Sequence, residues 1–79
     1  MKTSVVSLTK TLYDGEATAC VLPSATGEIT ILPNHRPLIS ILAKGIARIT
    51  DPSGAVVKLP ITSGFLEVGP DHTVHILID

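Results

Sequence analysis

Residues 45–59 read Gly45-Ile46-Ala47-Arg48-Ile49-Thr50-Asp51-Pro52-Ser53-Gly54-Ala55-Val56-Val57-Lys58-Leu59. Gly45 to Thr50 alternates between side-chain types, and so does Ala55 to Leu59, at the period of two that puts successive side chains on opposite faces of a strand. Asp51-Pro52-Ser53-Gly54 between them is turn chemistry, with an Asp able to bond its own backbone and a Gly that tolerates positive φ. The stretch predicts a β-hairpin, and it sets the reading of everything around it.

Downstream, Phe65 to Val68 and Thr73 to Ile78 form a second pair across Gly69-Pro70-Asp71, with Val74, Ile76 and Ile78 on one face. Upstream, Leu38 to Leu42 follows Pro37 and reads as a strand. Ser4 to Leu8 is expected to place Val6 and Leu8 on one face. Glu16 to Leu22 is expected as one strand, with Ala17, Ala19 and Val21 on one side and Cys20 and Leu22 on the other, entered through a turn at Tyr13-Asp14-Gly15. Gly and Pro recur too closely for ordinary helices. The expected fold class is all-β, a small antiparallel β-sandwich or a small barrel.

Seventy-nine residues hold one domain with a single core, and 44% hydrophobic with 3% aromatic residues requires that core to be aliphatic. A net charge of −1 with both signs scattered offers no basic stripe for nucleic acid. The single cysteine, Cys20, lies in an apolar stretch and reads as a buried, inert thiol. No apolar run approaches the roughly 20 residues of a membrane span, and the first residues do not read as a signal peptide. A soluble, monomeric domain is expected.

Little in the sequence points to catalysis. His72 and His75 are three apart, so on a regular strand they project from opposite faces and cannot share an ion. Ser53-Gly54 and Ser63-Gly64 are turn residues outside any nucleophile-elbow pattern. The glycines are isolated and form no phosphate loop. Carboxylates Asp14, Glu16, Glu28, Glu67 and Asp71 are dispersed. A binding or structural module is favoured over an enzyme, with no metal and no cofactor expected.

One stretch stands apart: Gly27-Glu28-Ile29-Thr30-Ile31-Leu32-Pro33-Asn34-His35-Arg36-Pro37-Leu38-Ile39. Two prolines bracket three polar residues, which makes a stiff loop in which Asn34 can take the left-handed conformation and His35 and Arg36 point outward. Such a loop suits a contact surface. The residues alone favour a connecting turn with solvated side chains over that reading.

That stretch resembles the Gly-Glu-(x)3-Leu-Pro-Gly-His-x-Pro-Leu signature of ATP synthase epsilon subunits. The likeness continues through Thr11-Leu12-Tyr13-Asp14-Gly15-Glu16, Cys20-Val21-Leu22-Pro23, Gly45-Ile46-Ala47-Arg48-Ile49 and Ser63-Gly64-Phe65-Leu66-Glu67-Val68, in order along the whole chain. It implies a sandwich of about ten short strands in the central stalk, binding the gamma subunit and touching the c ring to couple rotation to the catalytic head. The place so implied is peripheral, at the cytoplasmic face of a bacterial plasma membrane or its organellar equivalent. Carried over by position, Glu28, Asn34, His35 and Arg36 are expected at the c ring, and Ser7 and Ser40 near the gamma interface. Arg36 is expected to pair with a partner carboxylate or with Glu28, or else to angle into solvent.

Asn34 stands where the signature has Gly, Arg36 where a small residue is common, and Pro60 interrupts a strand, which suggests an edge or a bulge. Family members usually continue into a helical hairpin, which is expected to be absent from residues 1–79; ATP binding is accordingly not expected. A biotinyl or lipoyl carrier sandwich is the alternative, with Lys44 as the displayed lysine, but Leu42 and Ala43 do not fit that context.

Overall fold

The computed structural model describes residues 1–79. It has nine strands and no helix: β1 (Lys2–Val6), β2 (Thr11–Glu16), β3 (Ala19–Ser24), β4 (Gly27–Ile31), β5 (Leu38–Leu42), β6 (Gly45–Thr50), β7 (Val56–Ile61), β8 (Gly64–Val68) and β9 (Val74–Ile78). The strands run β2-β1-β9-β8-β5-β3-β6-β7 as one curled sheet, with β4 paired to β3. The β5–β3 seam is a single residue pair, Leu42 with Ser24. There the sheet folds over into two layers, β2-β1-β9-β8-β5 and β4-β3-β6-β7, which gives the β-sandwich. Every pairing is antiparallel except β1 with β9, which is parallel from Thr3–Val74 to Val6–Leu77.

The expected hairpin is β6–β7, paired from Thr50–Val56 to Gly45–Ile61. Its turn is closed by Gly54 N–H donating to Asp51 O at 3.0 Å and Asp51 N–H donating to Ala55 O at 2.9 Å. β7 is an outer strand of the order, so Pro60 withholds its missing N–H from no neighbour. The interior is one aliphatic cluster fed by both layers, with Leu66, Val74 and Ile76 from one and Cys20, Leu22 and Ile49 from the other, each no more than 1% exposed. Burial pushes the Cys20 thiol up to about 11, as suits an inert core group. No buried side-chain nitrogen or oxygen lacks a hydrogen-bond partner.

The N-terminal third differs from the sequence expectation. Tyr13-Asp14-Gly15 is not a turn but the middle of β2, because pairing with Val5, Ser4 and Thr3 of β1 occupies its backbone. Glu16 to Leu22 is two strands rather than one. At the break, Ala17 N–H still donates to Met1 O at 2.9 Å, whereas Thr18 N–H already donates to Thr50 O at 2.8 Å. The chain changes layers at that step. In β1 the inward residues are Thr3 and Val5, both 1% exposed, while Val6 and, past the end of the strand, Leu8 share the outer face, as the alternation expects.

Gly64 marks a close approach between β8 and β9. A Cβ there would lie 2.4 Å from Leu77 O, so the strands can pair at this spacing only without a side chain.

Candidate partner interface

The loop between β4 and β5 holds the shape that its prolines suggested. Asn34 has φ 68°, the left-handed conformation, and His35 N–H closes the turn on Leu32 O at 3.2 Å. The His35 ring is half-buried rather than turned fully outward, and its Nδ1 lies 2.7 Å from Arg36 O. A carbonyl only accepts, so that nitrogen carries the proton. From the β8–β9 turn, His72 Nδ1–H donates to His35 O at 3.2 Å. Two turns at the same end of the five-stranded layer are thereby tied together. Asn34 and Arg36 are exposed, and Arg36 belongs to no ion pair.

Glu28 does not join this loop. It stands near the start of β4, opposite Pro23, whereas the loop follows the end of that strand. Its carboxylate accepts from Arg48 Nη2 of β6 at 3.3 Å, reaching across β3. Arg48 therefore takes the place in which Arg36 was considered. Both side chains are largely solvated, so the pair contributes at most about 1 kcal/mol.

The two serines occupy different settings. Ser7 follows β1 and caps a turn: its Oγ accepts from Lys10 N–H at 3.3 Å and Thr9 N–H at 3.4 Å, while Ser7 N–H donates to Lys10 O at 2.9 Å. Ser40 is half-buried on the inward side of β5 and donates weakly to Ile41 O at 3.4 Å. Its neighbours Ile39 and Ile41 face out, 74% and 62% exposed.

Those two isoleucines belong to a surface that sequence reasoning missed. Cross-strand pairing places Ile41 beside Phe65, Phe65 beside Leu77, and Leu77 beside Val6 in a row over β5, β8, β9 and β1. Leu8, almost wholly exposed just past Ser7, joins Ile41, Phe65 and Leu77 around a shallow depression floored by Gly64 and Ile78. The signal was present: Leu38-Ile39-Ser40-Ile41-Leu42 is apolar on both faces, which in a strand means that both faces are to be covered. A second row on the same face runs Asp14, Ser4, His75, Glu67. Ser4 Oγ and His75 Nδ1 share a hydrogen bond of 3.0 Å. His72 and His75 do not converge, and no three His, Cys, Asp or Glu residues come together as metal ligands.

The molecule is thus a β-sandwich with an aliphatic interior, a braced polar loop at one end and an exposed aliphatic and aromatic patch on one face. Over residues 1–79 the chain matches the family described as ATP synthase, Delta/Epsilon chain, beta-sandwich domain, and it belongs to that family. It is 40% identical over 72 residues to an ATP synthase epsilon chain of Neisseria meningitidis serogroup C, covering 90% of this chain and 51% of that one. It is 37% identical over 79 residues to an ATP synthase epsilon chain of Acinetobacter baylyi, covering all of this chain and 56% of that one. The chain thus spans about half the length of the curated relatives it matches. Its fold is shared with a chain in the mitochondrial ATP synthase structure of Euglena gracilis comprising OSCP, F1 and c-ring: TM-score 0.91, 22% identity, 99% of this chain and 49% of that one. A chain from the central stalk and c-ring of the Tetrahymena thermophila mitochondrial ATP synthase gives TM-score 0.81 at 16% identity, covering 98% of this chain and 61% of that one. The carrier alternative gains nothing from these likenesses.

Proposed function

We propose that this chain is a non-catalytic rotor module of an ATP synthase, held between the gamma subunit of the central stalk and the c ring. The observation that carries the reading is the row Val6–Leu77–Phe65–Ile41 with Leu8 beside it, in which Leu8, Ile41, Phe65 and Leu77 are large apolar side chains left exposed and contiguous on one face of the sandwich. Contiguous apolar surface of this kind marks a protein contact. The gamma subunit is assigned to that face. Leu8 adjoins Ser7, so the sequence expectation at Ser7 fits the same surface, whereas Ser40 is turned to the inner side of β5 between Ile39 and Ile41.

The loop Asn34-His35-Arg36 is assigned to the c ring, with Glu28 and Arg48 as a second, separate contact. The loop and the apolar patch lie toward opposite ends of β5, β8 and β9, so a single rigid layer can meet two partners at once. No helix of the structure is long and apolar enough to cross a membrane, and membrane association is assigned to the assembled complex at its cytoplasmic or equivalent organellar face.

Copurification tests this directly. The chain is expected to retain gamma and c subunits from membranes of its source. Phe65→Asp is expected to lose gamma, whereas a Lys44→Ala control retains it. Retention of gamma by Phe65→Asp would remove the face from the interface.

A further inference from the structure

Two rows of different chemistry lie side by side on the docking face. One, Val6–Leu77–Phe65–Ile41, is apolar; the other, Asp14–Ser4–His75–Glu67, carries two carboxylates. The chain's ion pairs are Met1 amine with Glu16 and Arg48 with Glu28, so neither Asp14 nor Glu67 is neutralised from within. His75 sits directly across from Glu67, yet its Nδ1 is turned to Ser4 Oγ at 3.0 Å and it forms no ion pair with Glu67. Lys2, the remaining charge on the outward side of β1, stands opposite Glu16 and pairs with nothing. A shallow hollow bounded by Phe65, Leu77, Glu67 and His75 joins the two rows.

Covering this face with a purely apolar partner would strip water from Glu67 and leave its charge unpaired, which costs far more than the adjacent apolar contact returns. We infer that the segment received here presents apolar side chains flanked by a basic one, and that Glu67 is the specificity-determining carboxylate that takes the cation while Phe65 takes the apolar side chain. The inference rests on the reading of this face as the gamma interface.

The test is calorimetric titration of the chain with purified gamma subunit at several salt concentrations. Phe65→Asp tests the face, and Glu67→Gln, Glu67→Lys, Glu67→Asp and His75→Gln test the charge. With the face correctly assigned, Phe65→Asp abolishes binding. Glu67→Gln then weakens binding about 30-fold or more and flattens its salt dependence, the signature of losing one partner of a desolvated charge pair. Glu67→Lys weakens it further, and Glu67→Asp, which keeps the charge, retains most of the affinity. All the Glu67 variants should melt as the parent does, since the side chain is exposed. If Phe65→Asp binds normally, the interface reading fails. If Phe65→Asp abolishes binding but Glu67→Gln binds as tightly as the parent with the same salt slope, the cation inference alone fails. Loss of affinity in Glu67→Gln matched by equal loss in His75→Gln would make His75 the counter-ion and overturn a cation from the partner.

Discussion

The outer faces of the two layers are built from the same strand grammar and finished differently. Over β4, β3, β6 and β7 the row runs Thr30, Val21, Arg48 and Lys58, with Arg48 also bonded to Glu28, and it separates the exposed apolar residues Ile46 and Val56 from one another. Over β1, β9, β8 and β5 the corresponding positions are Val6, Leu77, Phe65 and Ile41. Both faces cover the same aliphatic interior, so the fold does not require the difference. Charge in the middle of an exposed sheet favours solvation and discourages edge or face association. A row of large apolar groups in the same place leaves surface that only a partner removes from water. Stability is carried inside the sandwich, and function by which exterior is left unfinished.

Strand β8 offers the sharpest way to break that comparison, because Leu66 and Phe65 are neighbours that face opposite ways. Leu66 is fully buried and Phe65 is 55% exposed. Leu66→Ala is expected to cost about 2–5 kcal/mol in denaturant unfolding, the range for emptying a close-packed aliphatic site. Phe65→Ala is expected to shift stability by about 0.5 kcal/mol or less, although it removes the aromatic side chain from the proposed interface. Equal destabilisation by the two would mean that Phe65 is part of the core and the face is not a docking surface.

Gly64 gives an intermediate effect. Its added Cβ would meet the Leu77 carbonyl oxygen at 2.4 Å, a backbone obstacle that cannot rotate away. Gly64→Ala is expected to destabilise by about 1–3 kcal/mol, the usual cost of overpacking. It should also disturb gamma binding, since the displaced strands β8 and β9 carry Phe65 and Leu77. A melting temperature equal to that of the parent would show that the two strands have room to part.

Much of the architecture could be read from the chain because it was written locally. The β6–β7 hairpin, the β8–β9 pair with Val74, Ile76 and Ile78 inside, and the left-handed Asn34 each follow from residues within a few positions of one another. The layer change at Ala17–Thr18 could not be read in this way, because it depends on Thr18 reaching Thr50 and Ala17 reaching Met1 across distances that alternation does not encode. Nor could the parallel β1–β9 pairing, which joins the two ends of the chain. The loop at Asn34-His35-Arg36 was visible through its prolines, but the partner of Glu28 was not, since Arg48 reaches it over an intervening strand. The apolar row was half visible: the two-faced apolar composition of β5 announced it, and only the register of four strands assembled it.

The smallest expected effect belongs to the hairpin turn on the charged layer, where acid rather than mutation of the core is the probe. Asp51 Oδ1 accepts from Ser53 Oγ at 2.6 Å, Ser53 N–H at 2.9 Å and Ala55 N–H at 3.1 Å. The Ser53 hydroxyl first, and then the backbone donors, hold the carboxyl below its ordinary value of 3.8. A carboxylate whose folded pKa is depressed contributes stability that is present above its unfolded pKa and lost as the pH falls through the folded one. Asp51→Asn should therefore be somewhat less stable than the parent near neutral pH, and the two should converge as the pH falls below about 3.9, the ordinary range for an Asp side chain. Urea midpoints measured from pH 7 to pH 2 for the parent and for Asp51→Asn decide the matter. A difference for Asp51→Asn that stays constant across that range would mean that the turn is held by the shape of its side chain and not by its charge.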